Sequence, residues 1–144
     1  LMNIASAALA ALVLLALPAA SADAAADIPL RLSVNRRELS ATLEDSPAAR
    51  DFCAMLPLRL KISDFNGTEK ISDLPGRLSE RNAPESVTPR AGDIAYYAPW
   101  GNLAVFYRDF RRSQGLIRLG HISSDIAPLA DAHDGDILII EEVR

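Results

Sequence analysis

The stretch that decides the fold is GDIAYYAPWGNLAVFY, residues 92–107. It contains the only Trp, all three Tyr and one of the four Phe residues of the chain. Residues 94–98 and 103–107 have the apolar and aromatic composition of strands, and the Pro-Trp-Gly-Asn sequence between them supplies turn residues. In each strand, apolar residues occupy the positions that face either side of the sheet, so we expect a hairpin that is covered on both faces.

The chain before this hairpin predicts another hairpin and one helix. Residues 28–34 and 39–43 alternate between apolar and polar side chains around a polar turn, which is typical of two half-buried paired strands. Residues 47–56 carry apolar side chains at helical spacing, with a capping residue before them and a proline at the first helical position. A further proline ends this helix.

A third hairpin is predicted where residues 58–65 alternate and meet Asn66-Gly67, a strong signal for a two-residue turn. Such a turn would pair Phe65 with Thr68 and place Asp64 opposite Glu69. Like charges facing each other across strands are unfavourable, so either a neighbouring lysine relieves the repulsion or the register differs.

The remaining segments complete a mainly β pattern. Residues 74–91 are polar and irregular, which predicts a long loop with a short strand near Leu78, and loops of this length often border functional sites. Residues 116–122 form a strand whose Gly120 indicates a bend or close backbone packing. Residues 137–140 indicate a buried final strand. About eight short strands and one helix result, and closing them into a barrel would hide the sheet edges.

The N-terminus indicates export. Residues 1–22 have no charged side chain, and an apolar run at 4–17 is followed by Pro18 and the small-residue pattern Ala-Ser-Ala. We therefore expect a signal peptide at 1–22, cleaved after Ala22, then a disordered stretch at 23–27 and a single domain at 28–144. The run is short for a membrane span, so an uncleaved anchor is the alternative. The expected location is periplasmic or secreted, without stable membrane association after cleavage.

Composition excludes several classes of partner and cofactor. The chain of 144 residues has a net charge of −4, so it lacks the basic footprint of a nucleic-acid-binding protein. A single Cys53 cannot form an internal disulfide, and with two His it gives no usual zinc spacing. No dinucleotide, phosphate-loop or nucleophile-elbow motif is present. We therefore expect no cofactor and no metal.

Four stretches together resemble the cyclophilin-like fold proteins of bacteria. They are the helix and Leu-Pro-Leu at 47–58, FNGTEK at 65–70, GDIAYYAPWGN at 92–102 and LGHI at 119–122. The resemblance covers roughly residues 28–143. It implies a closed β-barrel of the cyclophilin type, with a helix capping one end, in a family whose biochemical roles are mostly unassigned.

The resemblance also brings a possible activity, peptidyl-prolyl isomerisation. In cyclophilins an aromatic groove holds the proline, and an arginine in a Phe-His-Arg context weakens the resonance of the imide. This chain has no Phe-His-Arg stretch, so that catalytic set does not carry over. Arg90, Arg108 and Arg118 are the arginines that we expect near the aromatic hairpin.

Five residues are candidates for ligand binding: Tyr97, Trp100, Asn102, Tyr107 and Arg90. A Trp in a turn can be an exposed platform for a ligand, or a lid over the end of the barrel. The two tyrosines could line a pocket or fill the barrel. Asn102 could bond a ligand, although Asn after Gly is also ordinary turn chemistry.

The two histidines are weaker candidates. His121, inside a predicted strand, could be a base in a pocket or a buried hydrogen-bonded residue. His133 lies among aspartates but lacks the ligand ladder of a calcium loop, so a solvated turn is the better interpretation.

Two functions follow as hypotheses. The first is an exported barrel that binds a small molecule or an extended peptide in an aromatic groove near Trp100. The second is a periplasmic peptidyl-prolyl isomerase whose site is rearranged around Arg90 or Arg108. The sequence leaves the ligand and the oligomeric state open.

Overall fold

The computed structural model describes residues 2, 10–16 and 27–144. Residues 2 and 10–16 are exposed and lie in neither a helix nor a strand. Most of the predicted signal peptide and of the stretch at 23–27 lies outside the described residues, so both stay predictions. Within the described ranges, no helix is long and apolar enough to cross a membrane.

From residue 27 onward the protein is mainly β, as predicted. This part of the chain forms eleven strands and two short helices. Their bounds are β1 Ile28–Val34, β2 Arg37–Leu43, α1 Pro47–Ala54, β3 Leu58–Lys61, β4 Ser63–Phe65, β5 Glu69–Asp73, β6 Ser86–Val87, β7 Asp93–Tyr97, β8 Asn102–Phe106, β9 Ser113–Gln114, β10 Leu116–Ile122, α2 Ala127–Ala130 and β11 Ile137–Glu142.

Nine of these strands make one antiparallel sheet that curls into a nearly closed barrel. Their order is β3-β11-β1-β2-β10-β7-β8-β5-β4. The two edge strands, β3 and β4, are separated in the chain only by Ile62, so they act as one bent strand that pairs with β11 at one end and β5 at the other. Counted in this way the ring has eight positions, which confirms the predicted barrel.

The barrel interior holds one large apolar core, and α1 adds to it. Ser46 caps the helix by accepting a hydrogen bond from the Ala49 N–H at 3.1 Å, and Pro47 occupies its first turn. Phe52 is fully buried in the core. Burial of such a side chain contributes about 2–3 kcal/mol to stability. The helix ends at Ala54, two residues earlier than predicted.

The aromatic hairpin forms β7 and β8, and both of its faces are covered, as predicted. Tyr96 and Leu103 are fully buried in the barrel core. Ala95, Ala104 and Phe106 point to the outer face, where they form a second buried cluster with Leu116. Every residue of β8 is buried.

The predicted register of the Asn66-Gly67 hairpin is wrong by one residue. Asn66 and Gly67 have positive φ angles of 58° and 66°, but Thr68 also joins the turn, with its N–H donated to Phe65 O at 3.1 Å. Phe65 therefore pairs with Glu69, and Asp64 pairs with Lys70. The extra residue replaces the expected repulsion with an ion pair of 3.1 Å between Lys70 Nζ and Asp64 Oδ1.

The predicted strand near Leu78 is also wrong. Leu78 is buried, but in an irregular segment that packs on the core. The strand of this long loop is β6, which pairs with β9 and contacts β10. A buried apolar residue marks packing rather than a strand when no alternating neighbours accompany it.

Gly120 confirms the prediction of close backbone packing. It lies at an irregularity in the pairing of β10 with β7, and β10 also pairs there with β2. A Cβ atom added to Gly120 would lie 2.1 Å from the Thr42 carbonyl oxygen. The backbones of β10 and β2 can meet at this point only because residue 120 has no side chain.

Gly120→Ala should destabilise the fold by about 3 kcal/mol or more, because the clash is with backbone that cannot move aside. Urea unfolding followed by circular dichroism measures this loss. Gly76→Ala is the control, since its Cβ would meet only the flexible Met55 side chain at 3.2 Å. Equal stability of the two variants would contradict the packing described for β10 and β2.

Candidate functional site

A groove of about 350 Å³ lies on the outer face of the barrel. Strands β5, β8, β7 and β10 form one wall, and the segment 110–114 forms the other. The floor is apolar, because Phe106 and Leu116 from the outer cluster lie beneath it together with Ile71 and Phe110. Apolar concavities with a few polar groups are the usual form of a ligand site.

Three aromatic rings stand at one side of this groove. Trp100 is 62 % exposed in the turn between β7 and β8. Its ring lies edge-to-face with Phe65, at 5.7 Å between centroids, and with Tyr97, at 5.3 Å. Such pairs hold aromatic rings in place by about 1 kcal/mol each. Trp100 is therefore oriented by its neighbours while most of its surface remains accessible.

Asn102 supplies a polar group in the groove wall that lacks a partner. Its side chain is almost fully buried, and its Nδ2 donates to Leu103 O at 3.0 Å. Its Oδ1 atom is buried, and no donor from the described residues reaches it. An unsatisfied buried acceptor costs about 1–3 kcal/mol. A ligand that donates a hydrogen bond to this oxygen would recover that loss.

Two arginines from the loop wall bring positive charge to the groove. Arg111 lies over the ring of Phe110, at 4.8 Å from its centroid, and Arg112 donates from Nε to Ser86 Oγ. In the part of the chain that the structure describes, no carboxylate lies within 4.0 Å of either guanidinium. Both charges are thus available to an anion.

Glu69 is the one acidic residue of the groove lining. Burial raises the pKa of its carboxyl above the ordinary value, and a hydrogen bond from Thr68 Oγ1 at 3.0 Å opposes that shift in part. The groove therefore combines two cationic groups with one carboxylate that is poorly solvated.

The structure brings three of the five predicted site residues together and separates the other two. Tyr97, Trp100 and Asn102 line the groove, whereas Tyr107 and Arg90 do not. Tyr107 follows Phe106 in the chain, and its ring packs against the barrel core. Neighbouring residues of a strand point to opposite faces, so the alternation in the sequence could have shown this separation.

Tyr107 belongs to a polar network that joins the β4–β5 hairpin to the segment that follows α2. Its hydroxyl donates to Asp64 Oδ1 at 2.6 Å, and the buried Lys70 donates to the same oxygen and to Ala132 O at 2.7 Å. Desolvation and the bond to Asp64 raise the pKa of Tyr107 to about 12. Desolvation alone would raise the pKa of Asp64, but these two donors and the Gly67 N–H hold it below its ordinary value.

Arg90 lies in a different depression, around the buried carboxylate of Asp93. Asp93 Oδ1 is 2.9 Å from His121 Nδ1, and its Oδ2 accepts from Arg118 Nε at 3.0 Å and from the Arg90 N–H at 2.9 Å. The His121 side chain is 53 % exposed, so it is hydrogen-bonded but not buried. Sequence reasoning considered His121 and Arg118 but missed the aspartate that joins them.

Sequence reasoning also missed the residues of the second wall, which include Phe110, Arg111, Arg112 and Gln114. The charged sequence at 108–114 predicts only a turn. Nothing in their pattern shows that this segment folds back over the outer face of the barrel. Among the described residues, no group of three His, Cys, Asp or Glu side chains is placed to hold a metal ion.

The fold and the matching family model define the class of this protein. A model described as the cyclophilin-like family matches residues 32–140, so the chain belongs to that family. The resemblance inferred from the sequence is therefore confirmed.

The solution structure of a hypothetical protein from Archaeoglobus fulgidus is similar to this protein. The TM-score is 0.59 and the identity is 19 %, over 81 % of this chain and 95 % of that one. That likeness concerns the fold alone. A search of curated proteins found no match.

Tyr107→Phe should lower the free energy of unfolding by about 1 kcal/mol at pH 7, because it removes a hydrogen bond to a charged group that is partly exposed. The lowered pKa of Asp64 means that this bond stabilises the protein above about pH 4 and weakens as the pH falls further. Urea titrations at pH 7 and pH 3 measure the difference.

Tyr97→Phe is the matched control, since the described residues include no hydrogen-bond partner for the Tyr97 hydroxyl. Its stability should follow that of the wild type at both pH values. A Tyr107→Phe variant that lost the same stability at pH 3 as at pH 7 would contradict the role given to Asp64.

Proposed function

We propose that this protein binds a small molecule or a short extended peptide in the groove on the outer face of its barrel. The observation that carries the proposal is the unpaired Asn102 Oδ1, buried in the wall of an apolar groove beside an accessible Trp100. A polar atom without a partner and an aromatic ring with exposed surface both gain contacts when a ligand enters.

The size of the groove limits the ligand. A volume of about 350 Å³ lies near the lower end of the range of 300–1,000 Å³ that is usual for ligand sites. A compact organic molecule fits such a space, as do one or two residues of a peptide. The rest of a longer peptide would lie on the surface beside Trp100.

Peptidyl-prolyl isomerisation is a second candidate. The observation in its favour is that Arg111 and Arg112 line the same groove as Phe106 and Phe110, so apolar surface and guanidinium donors occur together. The arginines expected from the sequence are not there. Arg90 lies beside Asp93, and Arg108 is absent from the groove lining and lies 5.9 Å from the Tyr107 ring.

The groove can be tested with 1-anilinonaphthalene-8-sulfonate, an aromatic anion with one N–H donor whose fluorescence rises in apolar surroundings. The wild type should bind it, and Trp100→Ala and Phe110→Ala should each weaken binding about tenfold, since each removes a ring of the groove. Tyr107→Phe is the control outside the groove and should bind as the wild type does. Equal binding by all four proteins would contradict the proposal.

A further variant, Arg112→Gln, tests whether the protein is an isomerase. Cis/trans exchange of a proline tetrapeptide is measured by NMR with and without the protein. Exchange accelerated by the wild type but not by Arg112→Gln would favour the isomerase. No acceleration at high protein concentration would exclude it and leave binding alone.

The proposed place of action is the bacterial periplasm or the medium. The support is the uncharged apolar leader at 1–22 with its small-residue cleavage pattern. Expression of the full chain in a bacterium, followed by N-terminal sequencing of the periplasmic fraction, should give a mature chain that begins at Asp23. A chain that stays in the cytoplasm with the leader attached would contradict export.

A further inference from the structure

We infer that the ligand of this groove is an N-acylated amino acid with a free carboxylate and an apolar side chain. Two sources have this chemistry: a small acylated amino acid and the C-terminal residue of a peptide. The inference rests on the proposed function, because it assumes that the groove is the binding site, and it adds the chemical class of the ligand. Three features of the groove lead to it.

The first feature is the pair of guanidinium groups of Arg111 and Arg112. They lie in consecutive positions of one wall, and the described residues place no carboxylate within 4.0 Å of them. A guanidinium offers parallel N–H donors that match the two oxygens of a carboxylate. The apolar surroundings, with Phe110 under Arg111, strengthen such a pair relative to one in water. A carboxylate on the ligand is the complementary group.

The second feature is the unpaired Asn102 Oδ1. This atom only accepts hydrogen bonds, and the amide nitrogen beside it is already bonded to Leu103 O. A simple fatty or aromatic acid is ionised at neutral pH and has no donor to offer. The ligand therefore needs an N–H or O–H group as well as its carboxylate, and the amide N–H of an acylated amino acid lies one carbon from that carboxylate.

The third feature is the apolar floor. Phe106 and Leu116 are almost fully buried beneath the groove, and Trp100 stands beside it with most of its surface accessible. An aromatic or large aliphatic side chain of the ligand would cover this floor. Each such contact is worth about 25 cal/mol per Å² of apolar surface removed from water.

Glu69 restricts the charge that the side chain of the ligand can carry. It lines the same groove, and burial already raises the pKa of its carboxyl, so a second negative charge near it is unfavourable. Ligands with an acidic side chain should therefore bind less well than those with an apolar one. For the same reason, Glu69→Gln should bind a single carboxylate more tightly than the wild type does.

The test compares three probes of similar size by isothermal titration. N-acetyl-L-phenylalanine has both the carboxylate and the N–H, its primary amide lacks the charge, and 3-phenylpropanoate lacks the N–H. The acid should bind about tenfold more tightly than either comparator, as expected for the loss of one well-placed polar contact. An amide or a phenylpropanoate that binds as tightly as the acid would overturn the inference.

Variants then test which residues cause the preference for a carboxylate and which cause the preference for an N–H group. In the double variant Arg111→Gln/Arg112→Gln, the acid and the amide should bind equally. In Asn102→Leu, N-acetyl-L-phenylalanine should lose its advantage over 3-phenylpropanoate. Arg108→Gln is the matched control and should keep both preferences. The ratio of two affinities does not depend on the fraction of folded protein, so partial unfolding alone leaves both preferences unchanged.

A peptide of five residues that ends in phenylalanine separates the two sources. Binding as tight as that of N-acetyl-L-phenylalanine indicates a peptide C-terminus, and much weaker binding indicates a small acylated amino acid. If the anilinonaphthalene probe binds but the acid has no advantage over its comparators, the ligand class is wrong while the proposed function stands. If neither the anilinonaphthalene probe nor the three compounds bind, both the ligand class and the proposed function are wrong.

Discussion

The structure depends on one constraint, the burial of the β7–β8 hairpin on both of its faces. The inner face fills the barrel with residues such as Tyr96, Ile94 and Leu103. The outer face carries a second apolar set, and in a single-layer barrel that set needs a cover. The segment 108–114 and the β6–β9 ribbon provide it, because Phe110 and Val87 pack on the outer cluster. The groove exists where this cover is incomplete.

Some polar groups have hydrogen-bonding or ionic partners within the fold, and others have none among the described residues. The buried ionic groups of Lys70 and Asp93 each have several partners, as a charge removed from water requires. The groove differs in its two guanidinium groups, which have no carboxylate of the described residues within 4.0 Å. It also contains the unpaired Asn102 Oδ1, although the Tyr96 hydroxyl in the barrel core is likewise buried without a partner among the described residues. These unpaired charges, rather than the aromatic rings alone, distinguish the groove from the packed core and support the proposed binding site.

The three predicted residues that line the groove all belong to the β7–β8 hairpin, with Trp100 in its turn. Tyr97 and Asn102 pair with each other across the hairpin, so a prediction that placed one beside the groove also placed the other. Tyr107 does not lie beside them, because it directly follows Phe106 and its ring packs on the other face, against the barrel core. Arg90 was grouped by its nearness in sequence, yet the turn at Gly92 carries it to the depression around Asp93.

The sequence by itself determined the long strands of the barrel and the first helix, because alternation and capping residues act through near neighbours in the chain. Four stretches that resemble the family indicated its membership, and Gly120 indicated a bend or close packing without naming its partner. Only the tertiary structure decided the register after Asn66-Gly67, where one extra turn residue places Lys70 instead of Glu69 opposite Asp64. Both residues also have partners far away in the chain, since Lys70 donates to Ala132 O and Asp64 accepts from Tyr107. The tertiary structure also decided the second wall of the groove. Residues 110–114 have no periodicity of their own, and their position follows from the outer apolar cluster that they cover.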